Sequence, residues 1–200
     1  MTKLILVRHA LTTDNQENRL SGHIDSIVSE VGKHQIEKLT SYLQNVDIDK
    51  IYTTTSLRTK DTVKDIAQSK RISLIEKDTL KEINFGDFEG ITFKEIKESN
   101  PDEFEKMISE GDNYKYPNGE SLVETYSRVA KEIDNIVKEN KDKTILICSH
   151  GGTIRNIITH LISKSYDYHW NFRIDNASVS ILEIENGFAV INTMNNTSFI

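Results

Sequence analysis

The sequence predicts an α/β fold: a three-layer sandwich with a mostly parallel central sheet, helices on both faces and an antiparallel C-terminal edge. Three observations carry that prediction. Leu4–Val7 and Thr144–Cys148 are short apolar runs of the kind that form strands buried on both faces. Between such runs lie longer segments whose apolar residues recur at helical spacing, and strands that alternate with helices build parallel sheets. Two alternating runs flank Asn186-Gly187 near the C-terminus, the strongest short hairpin signal.

Each element follows in order. Leu4–Val7 is the first strand, and the polar stretch from Thr13 to Ser26 is a loop. From about Ser29 a helix presents Val31, Ile36, Leu39, Tyr42 and Leu43 on one side. Ile48–Thr53 is the second strand. Ser56 caps a helix carrying Leu57, Val63 and Ile66, and Ile72–Ile75 is the third strand. The charged, aromatic stretch 91–118 breaks into short helical pieces at Pro101 and Pro117. Ser121-x-x-Glu124 is a capping box. It opens a long amphipathic helix with Leu122, Tyr126, Val129, Ile133, Ile136 and Val137. Thr144–Cys148 is the fourth strand, and Ser149-His150-Gly151-Gly152 leads from it into another helix. No linker or repeat interrupts the chain, so residues 1–200 are expected to form one domain, with 91–118 as a cap over the active site.

Composition narrows the function. Charged residues are 28% and apolar residues 36% of the 200, which is not a disordered composition. A single cysteine excludes an intramolecular disulfide and a cysteine-rich metal site. The net charge of −6 argues against nucleic-acid and anionic-membrane partners. The apolar run at the start is too short for a leader, and no window approaches a membrane span, so the expected location is the cytoplasm. Monomer and homodimer are both compatible with the pattern.

In open parallel sheets, ligands sit beyond the carboxyl ends of the strands. The first strand ends in Arg8-His9, the second leads to Arg58, the segment after the third carries Glu82, and the fourth ends at His150-Gly151. These groups suit a phosphate monoester. Arginine forks match phosphate oxygens bidentately, and a neutral imidazole is a nucleophile at physiological pH. Glu82 is the only convergent acid and must be protonated to release a basic leaving oxygen. His150 can donate to phosphoryl oxygens. No metal or cofactor is required. By contrast, His23, His34, His160 and His169 read as surface or packing residues.

The same residues resemble the histidine phosphatase superfamily, in its branch similar to phosphoglycerate mutase. The matching segments are Arg8-His9-Ala10-Leu11-Thr12 with Asn15, Arg19 and Ser21-Gly22; the stretch around Arg58; Leu80 to Gly90; Gly119-Glu120-Ser121; and Ser149-His150-Gly151. Ala10, Leu11 and Ser21 depart from the usual Gly, Glu and Gln. The resemblance implies that His9 is phosphorylated, that Arg8, Arg58 and His150 hold the phosphoryl group, and that Glu82 donates and accepts the proton. Asn15, Ser21, Gly22 and Gly151 would line the same phosphate pocket. The implied partner is a small phosphorylated substrate.

Phosphatase and mutase share this chemistry, and the short excursion 91–118 points to the phosphatase, similar to broad-specificity and α-ribazole-phosphate phosphatases. Within it, Tyr114 and Tyr116 are candidates to select the substrate, whereas Phe93 and Phe104 suit helix packing. A non-catalytic phosphate-binding regulator ranks low, because nucleophile and acid are both present. A cysteine phosphatase loop is excluded by the spacing from Cys148 to Arg155, and Cys148 reads as a buried small hydrophobe.

Overall fold

The computed structural model describes residues 1–200. Its sheet has six strands in the order β3-β2-β4-β1-β5-β6. They are β1 (Thr2–Arg8), β2 (Lys50–Thr53), β3 (Leu74–Glu76), β4 (Thr144–Ser149), β5 (Val179–Glu185) and β6 (Phe188–Asn196). The pairs β1–β4, β2–β4 and β2–β3 are parallel, while β5 and β6 complete the sheet antiparallel, as the sequence predicts. Asn186 and Gly187 both take positive φ, 51° and 81°, which is what a tight two-residue hairpin turn demands.

Alternation along β1 and β4 explains why their runs are continuously apolar. Leu4, Leu6, Ile145 and Ile147 face α6 (Leu122–Glu139) and α7 (Gly151–Ser163), against Ile133, Ile136, Ile154 and Ile157. Ile5, Val7, Leu146 and Cys148 face α2 (Glu30–Leu43) and α3 (Leu57–Lys70), against Leu39, Leu43, Val63 and Ile66. Both faces are therefore covered, and each fully buried aliphatic side chain contributes roughly 1.5–3 kcal/mol. Cys148 is wholly buried in the second layer, and burial pushes its thiol far above the ordinary range. No helix is long and apolar enough to cross a membrane.

The excursion divides at Pro101 into α4 (Phe93–Ser99) and α5 (Pro101–Glu110), with Pro101 at the first position of α5; α5 ends at Gly111, where φ is positive, and not at Pro117. Its own small cluster joins Leu20, Phe88, Ile96 and Tyr114. Before it, α1 (Thr13–Gln16) is a single turn inside the predicted loop, closed by a capping box between Thr12 and Asn15.

Several local expectations shift. The third strand begins at Leu74, because Arg71 turns left-handed and the Ile72 amide closes the end of α3 on Ala67 O. The second strand starts at Lys50, with Ile48 packed beneath it. Val31, Tyr42 and Leu57 are exposed, so the buried stripes of α2 and α3 are narrower than predicted. Ser56 is the N-cap of α3, yet its hydroxyl caps nothing. Instead Asp25 Oδ1, brought in from the loop, accepts from the Leu57 amide at 3.1 Å. The Ser121–Glu124 capping box forms as expected.

Candidate active site

His9 follows the carboxyl end of β1 and is held from three sides. Its amide donates to Ser149 O, and its carbonyl accepts from the Ala177 amide and from Asn176 Nδ2. The residue is 3% exposed. Nδ1 lies 2.9 Å from Ala10 O, and a carbonyl can only accept, so Nδ1 carries the proton and the Nε2 lone pair is free. Burial, then the charges of Arg58 and Arg8, hold this histidine well below its ordinary pKa. A neutral imidazole with an available Nε2 is the form a nucleophile requires.

His150 has the opposite tautomer. Arg58 Nε donates to its Nδ1 at 3.3 Å, so the proton sits on Nε2, 3.2 Å from Thr54 Oγ1. Burial and Arg58 also keep this ring neutral. The two imidazoles meet edge to face with centroids 5.3 Å apart.

The arginines differ more than the sequence suggests. Arg8 donates from Nη1 to Ile174 O at 2.7 Å, but its buried Nε has no partner. Arg58, which is 1% exposed, donates to His150, to Ile24 O and to both Ser21 O and Gly22 O. Of its five N–H groups, one on Nη1 is left for a ligand. Arg58 therefore also secures the 21–24 loop, a duty invisible in the sequence because its acceptors are backbone carbonyls.

Glu82 is placed by the turn into α7. The Gly152 amide donates to its Oε2 at 2.9 Å and the Ile83 amide to its Oε1 at 3.2 Å. The glycine pair after His150 thus presents an amide to this carboxylate. A Cβ on Gly152 would lie 2.5 Å from Oε1, so the approach requires glycine. Beside it, a Cβ on Gly151 would meet the Arg8 guanidinium at ordinary contact distance, 3.4 Å from Nε.

Asn15 is joined to His9 through Asn176, whose Nδ2 reaches both His9 O and Asn15 Oδ1. The Ser21 hydroxyl is buried without a partner. The Gly22 amide is taken by Glu89 Oε2 at 2.8 Å. Ala10 keeps ordinary backbone geometry, and its methyl packs with Val28 and Ile36.

Sequence reasoning missed several supports. Arg128 grips Glu120 with Nε and Nη2, each at 2.8 Å, and donates to the carbonyls of Thr79, Lys81 and Glu82. It thereby fixes the backbone that carries Glu82; the Gly119-Glu120-Ser121 match was the available signal. His23, read as a surface residue, is exposed but lies with Nε2 3.1 Å from Glu82 O. His34 is exposed as expected. His160 and His169 are buried, bonded to Asp134 and Tyr126 and to Asn156 respectively.

A cavity of about 510 Å³ opens beside Glu82. Its lining is largely apolar and includes Phe93, Tyr114, Tyr116, Met107 and Trp170. Phe104 packs in the excursion's own cluster instead. Trp170 Nε1 donates to Asp112 Oδ1 at 2.9 Å, linking the segment after α7 to the end of the excursion.

Relatives share this framework. Phosphoserine phosphatase 1 of Hydrogenobacter thermophilus is 33% identical over 197 residues, covering 98% of this chain and 93% of its own. A phosphoserine phosphatase from Entamoeba histolytica, solved in complex with phosphoserine, superimposes with a TM-score of 0.86 at 28% identity over the full length of both chains. A putative α-ribazole-5′-phosphate phosphatase from Escherichia coli matches in fold with a TM-score of 0.93 at 24% identity, over 98% of this chain and 96% of its own. The family model for branch 1 of the histidine phosphatase superfamily matches residues 4–197, and the chain belongs to that superfamily as a phosphatase.

Proposed function

We propose that this enzyme hydrolyses small phosphomonoesters through a phosphohistidine on His9. The observation that carries the reading is the buried, neutral His9, whose Nδ1 is tied to Ala10 O while Nε2 is free, together with the buried Arg8 Nε that has no partner. Nε2 attacks phosphorus and the ester P–O bond breaks. The leaving oxygen takes a proton from the Glu82 carboxyl group. Glu82 then removes a proton from water, whose oxygen attacks the phosphohistidine and releases inorganic phosphate. Arg8 and the remaining Arg58 donor neutralise the phosphoryl oxygens. His150 can add its Nε2–H once that group leaves Thr54. Asn15, Ser21, Gly22 and Gly151 shape the rim, and residues 91–118 cap the leaving-group side.

The test is phosphate release in EDTA from phosphoserine, α-ribazole phosphate, 3-phosphoglycerate and p-nitrophenyl phosphate, with His9→Ala beside the wild type. We expect release by the wild type and a loss of at least about 10³-fold in the variant, the scale of removing a catalytic group. Acid-quenched wild type should carry acid-labile phosphate on His9. Activity surviving in His9→Ala would overturn the assignment. Isomerisation of 3-phosphoglycerate without phosphate release would identify a mutase.

A further inference from the structure

Arg155 lies on α7, one turn beyond Gly151, and is the only arginine or lysine lining the cavity beside Glu82. Its Nε donates to Phe172 O at 2.8 Å, and its guanidinium carbon lies 5.5 Å from the centre of the Trp170 ring. Neither Nη1 nor Nη2 has a hydrogen-bond or ion-pair partner. Arg128, also partly buried, is by contrast paired with Glu120 through two nitrogens. The two Nη groups of Arg155 reach solvent at the cavity wall and have no protein partner to give up on meeting a ligand.

A second donor nearby is also unused. Asn156 lines the same cavity and is 0% exposed. Its Oδ1 is 2.8 Å from His169 Nδ1, and its Nδ2 has no partner. His169 is held near pKa 4, chiefly by burial and then by Arg155, so it stays neutral and adds no competing charge. Two unpaired donors on consecutive residues call for an acceptor that arrives with the ligand.

Their distance from the phosphoryl site sets the scale of that ligand. Gly151 is near the Arg8 guanidinium: a Cβ added to it would lie 3.4 Å from Arg8 Nε. Arg155 follows by one helical turn, a rise of about 6 Å. Two or three carbon atoms between the ester oxygen and an acidic group would span that gap.

We propose that Arg155, with Asn156 Nδ2, binds a carboxylate on the alcohol portion of the substrate, and so selects the phosphate esters of small hydroxy acids. This rests on the reading that His9 takes the phosphoryl group.

Two substrate pairs that differ by a carboxylate provide the test: phosphoserine against phosphoethanolamine, and 3-phosphoglycerate against glycerol 3-phosphate. The second pair removes any influence of the ammonium group. kcat/KM is measured for each with wild type, Arg155→Lys and Arg155→Met. The wild type should prefer the acid in both pairs. Arg155→Met should lower that preference about 10- to 100-fold, mainly through KM, as expected for losing a charge-assisted hydrogen bond. Arg155→Lys should recover part of it, because the charge remains without the fork. An unchanged preference in Arg155→Met, or equal losses in Lys and Met, would overturn the proposal and assign Arg155 to packing against Trp170. Turnover of p-nitrophenyl phosphate, lost in His9→Ala, reports separately on the phosphoryl site. If phosphate release from phosphoserine and 3-phosphoglycerate survives in His9→Ala, the proposed function and this inference fall together.

Discussion

The Gly152 amide holds Glu82 through Oε2, and a methyl group on Gly152 would stand 2.5 Å from Oε1. The carboxylate cannot keep its place against such a group. Helix propensity pulls the other way, since alanine is roughly 0.5–1 kcal/mol better than glycine within a helix. Gly152→Ala should therefore leave thermal stability unchanged or raised while kcat falls about 100-fold, the scale of a 1 Å misplacement. Steady-state kinetics and a melting curve on one preparation check both. Activity within twofold of the wild type would show that Glu82 does not depend on this contact. The same contact shows what a single residue can reveal in a sequence. The glycine pair after His150 was readable as the entry to a helix, whose first amides are free to bind an anion. That the anion is Glu82 was not, because the two residues meet only in the folded chain.

At the scale of an element, α6 shows what local chemistry fixes. Ser121 accepts from the Glu124 amide, and Glu124 returns a bond to the Ser121 amide at 3.0 Å. Ser121→Ala should cost about 1 kcal/mol, which lowers Tm by roughly 2–4 °C in a chain of this size. No change in Tm would mean that tertiary packing alone fixes the start of α6. This box was legible because both partners lie within one turn. The cap of α3 was not legible, because Asp25 reaches Leu57 from a distant loop. Tyr42 fails the helical stripe for a similar reason: it stacks on Phe199 at 4.3 Å, a contact supplied by the C-terminal tail. The double-faced core was legible, since continuous apolar runs leave no polar face to expose; the strand order was not, because contacts distant in the chain set it. The duties of Arg58 and Arg128 were hidden, because their acceptors are backbone carbonyls that side-chain patterns do not mark.

Across the whole molecule, two unequal packing units meet at the site. The sheet and its four covering helices hold two large clusters, and β1 and β4 are buried on both faces. The excursion has only its small cluster, and α5 contributes no fully buried residue. Opening free energy follows buried apolar contact. Amides of α4 and α5 should therefore exchange with solvent well before those of β1 and β4, as read by native-state hydrogen exchange. The Asp112–Trp170 bond joins the excursion to the body across the cavity mouth, where Trp170 is 67% exposed. One exposed hydrogen bond contributes only about 0.5–1.5 kcal/mol, too little to lock the two units together. Trp170→Phe, which removes the donor and keeps an aromatic ring, should speed exchange in α5 and leave β1 and β4 unchanged. Equal protection of α5 and β4 in the wild type would mean that the excursion opens only by global unfolding. Substrate would then have to enter through a mouth that is already open.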